Sequence, residues 1–204
     1  MSVSFPSTAE PGAEVVARHT RAWVTRVVVG LNLCPFAKAP LVKGQVRFVV
    51  SSARDVPALL LQLADELRHL AQADPAETET TLLIHPQVLS DFGEFNQALD
   101  AVDSLVDALG LEGVLQVASF HPQYQFAGTD ADDMSNATNR SPYPTLHLLR
   151  EASIERAVDA FPEPEAIVDA NLRTLDVHGA AGWGALQAAC RIDASITSTK
   201  PEPP

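Results

Sequence analysis

The segment Thr80–Pro86, which reads TTLLIHP, decides the fold. Its apolar run stops at a His-Pro pair, as expected for a strand that is covered on both faces and then leaves the sheet. Two other runs rich in β-branched and aromatic residues lie before and after it, at Gln45–Ser51 and Gly113–Phe120. We therefore predict three buried strands, with Thr80–His85 as the second.

The two segments between these strands have the pattern of amphipathic helices. After Asp55, apolar residues recur at steps of three and four until Asp74-Pro75. Asp91 and Glu94 resemble a capping box, and a second apolar stripe follows them. The alternation predicts an α/β domain with a β-α-β-α-β core, in which helices flank a mainly parallel sheet. A split α+β arrangement with one antiparallel strand is the alternative.

The rest of the chain predicts helices and one long loop. A helix over Glu14–Val29 should end at a left-handed Gly30, and helices should also begin at Thr145 and at Glu163. The segment Pro122–Pro144 has no periodic pattern, and loops of this length are often functional. We expect a flexible leader over 1–13, a single domain over 14–177, and a poorly ordered tail rich in Gly, Ala and Pro over 178–204.

Composition excludes several classes of protein. The 204 residues carry a net charge of −12, and no Lys or Arg occurs between Arg68 and Arg140, so a nucleic-acid partner is not expected. No apolar run reaches the roughly 18 residues of a membrane span, and Met1–Pro11 does not resemble a signal peptide. We expect a cytoplasmic protein without a membrane partner, in which Cys34 and Cys190 are free thiols. The sequence does not indicate the oligomeric state.

Two histidines follow two of the predicted strands, in the pairs His85-Pro86 and His121-Pro122. Ligands of open α/β sheets bind beyond the carboxyl ends of the strands. If the two strands are parallel neighbours, about 4.8 Å apart, both side chains can meet at one ion or substrate. In the alternative interpretation, each histidine binds a loop carbonyl and stabilises a turn.

A third histidine heads the helix predicted from Thr145. His147 and Glu151 are four residues apart, so in a helix they share a face. This spacing suits a metal site, or a general base with a carboxylate that orients it. The alternative is an ordinary pair of side chains at the start of a helix.

Cys34 and Arg140 complete the candidate residues. Cys34 lies among apolar neighbours, where a thiol is usually inert, and it needs a nearby histidine to act as a nucleophile or metal ligand. Arg140 can hold a small anionic substrate together with Tyr124, Asn139 and Tyr143. Otherwise it pairs with Asp132 or Asp133.

The chain resembles a bacterial domain-of-unknown-function family, number fourteen-fifteen, over about residues 14–177. The resemblance rests on four stretches of sequence: Gly30–Ala37, Leu83–Pro86, Ser119–Gly128 and Asn139–Glu151. It implies one stand-alone domain. It carries no catalytic residue, because the family has no assigned activity.

These patterns favour a small enzyme whose pocket lies at the carboxyl ends of the strands, below the Pro122–Pro144 loop. His85, His121 and His147 would form a metal set for Zn²⁺ or Fe²⁺, or an acid-base group, with Glu151 as a ligand or orienting carboxylate. One alternative is a metal-free thiol enzyme that pairs Cys34 with a histidine. Another is a non-catalytic module that binds a small ligand or a protein.

Overall fold

The computed structural model describes residues 11–159 and 165–196, which form one four-stranded mixed sheet covered by helices. The strands lie in the order β1-β2-β4-β3. Strands β1 and β2 are parallel, whereas β4 is antiparallel to both of its neighbours. Their bounds are Val46–Val50 for β1, Thr80–Ile84 for β2, Leu115–Phe120 for β3 and Thr145–Arg150 for β4.

Strand β4 corrects the sequence prediction. We predicted a helix from Thr145, and the prediction was wrong: the helix begins only at Glu151. In Thr145–Arg150, buried Leu146 and Leu148 alternate with Thr145 and His147, which is the period of a strand. The sheet is therefore not mainly parallel, and the alternative with an antiparallel strand is correct. Because β4 lies between β2 and β3, those two strands point the same way but are not neighbours.

Six α-helices cover the sheet in the described part of the chain. Their bounds are Ala13–Trp23 for α1, Lys38–Lys43 for α2, Val56–Gln72 for α3, Phe92–Ala108 for α4, Glu151–Asp159 for α5 and Glu165–Ile196 for α6. A π-helical segment, Val24–Val29, continues α1, and a 3₁₀ helix covers Met134–Asn139. Asp55 and Asp91 accept the backbone N–H groups of Ala58 and Glu94, so both are N-caps, as predicted. No helix among the described residues is both long enough and apolar enough to cross a membrane.

Helix α6 extends well beyond the predicted domain end at residue 177. It is interrupted at Gly179, whose φ of 59° is left-handed, and then continues to Ile196. Trp183 and Cys190 of this second half are buried in the same core as Trp23, Val27 and Leu82. Of the predicted leader and tail, residues 1–10 and 197–204 lie outside the described residues, as do 160–164.

Gly30 is not the predicted left-handed cap. Its φ is −64°, and the left-handed residue of this turn is Asn32, with a φ of 55°. Gly30 is required for another reason, since a Cβ there would overlap the carbonyl oxygen of Arg26. The tight π-helical exit directs the chain into the segment that contains Cys34.

Each face of the sheet packs against a different pair of helices. On the first face, Leu83, Leu146 and Leu148 join the buried side chains of α3 and α4. On the second face, Leu82 and Ile84 join the buried side chains of α1 and α6. Alternation along the strands therefore directs their apolar side chains to two separate cores.

Candidate functional site

The two His-Pro histidines lie on the first face, against α4. The ring of Phe95 is 5.7 Å from that of His85 and 5.0 Å from that of His121, measured between centroids. Both histidines are 0% exposed. They approach each other through packing on the same phenylalanine, although β4 separates the strands that carry them.

Both histidines hold the loop that follows β2. His85 donates from Nδ1 to the carbonyl of Val88 at 3.0 Å. Nδ1 of His121 accepts the N–H of Gln123 at 3.0 Å, so its Nε2 donates to the carbonyl of Leu89 at 3.3 Å. Leu89 has a φ of 56°, which is uncommon for a residue with a side chain. This geometry matches the alternative in which the histidines stabilise turns.

Burial keeps these two imidazoles neutral. Loss of solvation lowers the pKa of His85 to about 4, although its bond to Val88 opposes this shift. Burial also lowers the pKa of His121. Within the described residues, Nε2 of His85 has no hydrogen-bond partner.

His147 occupies the opposite face, in the middle of β4. The hydroxyl of Thr80 donates to the carbonyl of Leu148 at 2.6 Å, so Nε2 of His147 must donate its proton to that hydroxyl, at 2.8 Å. The ring is therefore the Nε2–H tautomer, and Nδ1 carries the lone pair. Burial lowers the pKa of His147 to about 4. His147 is thus a neutral hydrogen-bond acceptor at pH 7.

The predicted metal set is divided between the two faces. His147 is in contact with Thr80 and Phe120 on the second face, whereas His85 and His121 pack on Phe95 on the first. Over residues 11–159 and 165–196, no three or more His, Cys, Asp or Glu side chains are placed to hold a metal ion. Glu151 begins α5, so the predicted helical pairing with His147 does not exist.

The segment after α1 covers a cavity of about 400 Å³ on the second face, which we call the inner cavity. Its floor includes Leu82, Ala118, Phe120 and His147 of the sheet. Its lining also includes Trp23, Val28 and Cys34 from the covering segment and Ile154 of α5. The lining is mainly apolar, as is usual for small-molecule pockets of this size. The structure therefore brings Cys34 and His147, which the sequence analysis singled out, to the same cavity.

Cys34 is half-buried in the lining of the inner cavity. Burial raises the pKa of its thiol, although the backbone N–H groups of Phe36 and Ala37 bind the sulfur and oppose the shift. Burial lowers the pKa of His147 to about 4, so loss of solvation disfavours the charged form of both side chains. Cys34 and His147 are therefore both neutral at rest.

A second cavity, of about 570 Å³, lies between the 3₁₀ helix and α6, and we call it the outer cavity. Val28, Cys34 and Phe120 line this cavity as well as the inner one. The remaining lining includes Thr138 and Asn139 on one side and Asn171 and Leu172 on the other. The two cavities therefore share a wall of three side chains.

Comparison with known proteins shows which family this chain belongs to. A family model described as a protein of unknown function, DUF1415, matches residues 15–185. The chain belongs to this family. No curated protein matches the chain, and no solved structure matches it. The DUF1415 match extends into α6 and includes every residue that lines the two cavities.

The predicted anion-binding residues of this DUF1415 chain mostly organise the Pro122–Pro144 loop. Arg140 donates from Nε to the carbonyl of Tyr124 at 3.1 Å and from Nη2 to that of Ala131 at 2.6 Å. It does not pair with Asp132 or Asp133. Burial lowers the pKa of Arg140.

The other three predicted substrate-binding residues have packing roles. The Tyr124 ring packs on Phe92 and Phe126, and the Tyr143 hydroxyl shares a 2.8 Å hydrogen bond with Nδ1 of His19. Asn139 donates to the carbonyl of Ser119 and also lines the outer cavity. Of these residues, only Asn139 lies at either cavity.

Sequence reasoning missed the apolar residues of the inner cavity. Trp23 and Val28 lie in the helix predicted over Glu14–Val29, and Leu82 and Ala118 lie in predicted strands, so nothing in the sequence marks them as lining a cavity. A residue that lines a cavity has the same sequence pattern as one that packs without a gap. Trp23 carried one signal, because a buried indole N–H needs a partner and its Nε1 has none among the described residues.

Proposed function

We propose that this protein binds a small, uncharged and mainly apolar molecule in the inner cavity. The observation that carries the proposal is His147, which lines this mainly apolar cavity and whose Nε2 proton is bound to Thr80, so that Nδ1 is left as a hydrogen-bond acceptor. A ligand hydroxyl or N–H that binds this acceptor would set the ligand's orientation.

The charged residues of the lining support an uncharged ligand. These are Glu79 and Arg150, which have opposite signs. Arg150 already donates from Nη2 to the carbonyls of Leu70, Ala73 and Thr78. In the part of the chain that the structure describes, Nε of Arg150 has no partner, and an anion would compete through this group.

The neutral pair of Cys34 and His147 favours binding over thiol catalysis. A thiol enzyme needs a thiolate, and the opposing pKa shifts of these two groups disfavour proton transfer between them. We therefore propose a ligand-binding protein, in which Cys34 is part of the wall.

Three probes with the same ring test this proposal: cyclohexanol, cyclohexane and cyclohexanecarboxylate. Trp23 lines the cavity and Trp183 is the other tryptophan, so a Trp183→Phe background reports binding through Trp23 fluorescence. We expect cyclohexanol to bind about fivefold more tightly than cyclohexane, because one hydrogen bond contributes roughly 1 kcal/mol. The carboxylate should bind most weakly.

A His147→Leu variant in the same background should lose the preference for cyclohexanol and keep the affinity for cyclohexane. His69→Leu is the matched control, because His69 is exposed on α3. Absence of binding by all three probes would overturn the proposal. Tightest binding by the carboxylate would replace it with an anion site at Arg150.

A further inference from the structure

The shared wall of the two cavities points to a longer ligand. Val28, Cys34 and Phe120 line both the inner and the outer cavity, so the two cavities are adjacent. A molecule too long for the inner cavity therefore has an adjacent space to enter.

The two cavities differ in polarity. Hydroxyl and amide side chains of Thr129, Ser135, Thr138, Asn139 and Asn171 line the outer cavity. Among the described residues, none that lines the outer cavity is charged. Both cavities have mainly apolar linings, but hydroxyl and amide groups make up a larger share of the outer one, so the combined space is more polar at that end.

The hydrogen bonds already made in the outer cavity indicate which polar group fits. The hydroxyl of Thr138 has two acceptors within reach of its one proton, the carbonyl of Ser135 and Oδ1 of Asn139, and Asn171 donates from Nδ2 to the carbonyl of Leu33. The groups still available to a ligand include two acceptors, the hydroxyl oxygen of Thr138 and Oδ1 of Asn171. A head group rich in hydroxyl donors matches these acceptors, whereas a charged head group has no counter-charge.

The outer cavity also has an opening. Phe126, Val168 and Leu172 line it and are exposed apolar residues, with 37%, 60% and 38% of their surfaces accessible. Apolar side chains at such a mouth suit the passage of an apolar chain toward the inner cavity.

We infer that the inner and outer cavities form one elongated site for an uncharged amphiphile, whose apolar chain fills the inner cavity and whose hydroxylated head group lies among Thr138, Asn139 and Asn171. This inference rests on the proposed function of the inner cavity. It adds the chemical class of the ligand and its direction in the site.

Calorimetric titration with three probes tests this inference: 1-O-dodecylglycerol, dodecanoate and cyclohexanol, each below its aggregation concentration. The glycerol ether has a hydroxylated head, dodecanoate has a similar chain with an anionic head, and cyclohexanol needs only the inner cavity. We expect the glycerol ether to bind at least about tenfold more tightly than either of the others.

A Leu172→Trp variant should fill the outer cavity. It should weaken binding of the glycerol ether by about tenfold and change cyclohexanol binding by less than about twofold. Val177→Trp is the matched control, because Val177 is on the same helix, is 86% exposed and does not line the cavity. If Leu172→Trp does not fold, Val168→Trp blocks the same opening.

The outcomes separate this inference from the proposed function. Binding of cyclohexanol without the glycerol ether would overturn the elongated site and leave the inner cavity as proposed. Absence of binding by every probe would overturn both. Equal weakening of cyclohexanol and glycerol ether by Leu172→Trp, or tighter binding of dodecanoate, would also overturn the inference.

Discussion

The two faces of the sheet use histidine in opposite ways. On the α4 face, His85 and His121 are fully buried and hold the carbonyls of consecutive loop residues. On the α1 face, Thr80 fixes Nε2 of His147, and the ring lines a cavity. The comparison teaches that a conspicuous motif such as His-Pro can be structural, while a histidine inside an unremarkable strand lines the site.

Substitution of His85 should have the largest effect on stability. His85→Ala removes a fully buried ring and its bond to Val88, which should lower the free energy of unfolding by about 2–4 kcal/mol. Chemical denaturation of this variant and of the exposed-site control His69→Ala measures the difference. A loss below about 0.5 kcal/mol would break the comparison, because surface substitutions have effects of that size.

Acid should destabilise the protein through the same histidine. His85 titrates near its usual pKa of about 6.5 when unfolded and at about 4 when folded, so the unfolded state binds more protons between these values. Stability is therefore fully present above pH 6.5 and is lost as the pH falls toward 4, by roughly 3 kcal/mol from His85 alone. Denaturation at a series of pH values should give a shallower slope for His85→Asn than for the wild type. Equal slopes would show that His85 is not buried as a neutral ring.

Substitution of Gly30 tests whether the turn before the segment that covers the inner cavity is as tight as the structure shows. A Cβ at Gly30 would overlap the carbonyl of Arg26, so Gly30→Ala should destabilise by more than about 1 kcal/mol, although alanine usually stabilises an ordinary helical backbone. Gly184→Ala is the matched control, because nothing lies near its missing Cβ. Thermal denaturation distinguishes the two variants. A stabilised Gly30→Ala would contradict the tight turn before Cys34.

Cys34 offers a smaller effect, on reactivity alone. Cys34 is half-buried at the wall between the cavities, whereas Cys190 is 1% exposed. Iodoacetamide should therefore modify Cys34 first, and slowly at pH 7, because burial raises the pKa of its thiol. Saturating cyclohexanol should slow modification of Cys34 by about threefold or more, as measured by mass spectrometry. Unchanged modification in the presence of bound cyclohexanol would place the ligand away from this wall.

The sequence predicted three of the four strands and the two helices between them, but it did not predict strand β4. The helices after Asp55 and Asp91 and the strands around Phe48, Leu83 and Val117 follow from local periodicity and caps. Strand β4 did not, because six residues with two adjacent leucines fit a helical and a strand period almost equally. Because β4 was predicted as a helix, His147 and Glu151 were predicted to share a helix face, which they do not.

The candidate site depends on contacts between distant segments. Cys34 and His147 were both singled out, but their shared cavity results from the covering segment after α1 and the insertion of β4. The local pattern of Trp23 or Leu82 contains no information about that gap. The sequence left two roles open for His85 and His121, and their hydrogen bonds to the loop after β2 fit the one in which they stabilise turns.

The most direct test is calorimetric titration of cyclohexanol into three proteins: wild type, His85→Asn and His147→Leu. The account predicts that His85→Asn binds with wild-type affinity at a temperature where it is folded, and that His147→Leu binds about fivefold more weakly. Loss of binding in His85→Asn with full affinity in His147→Leu would contradict it, because the ligand site would then lie on the α4 face.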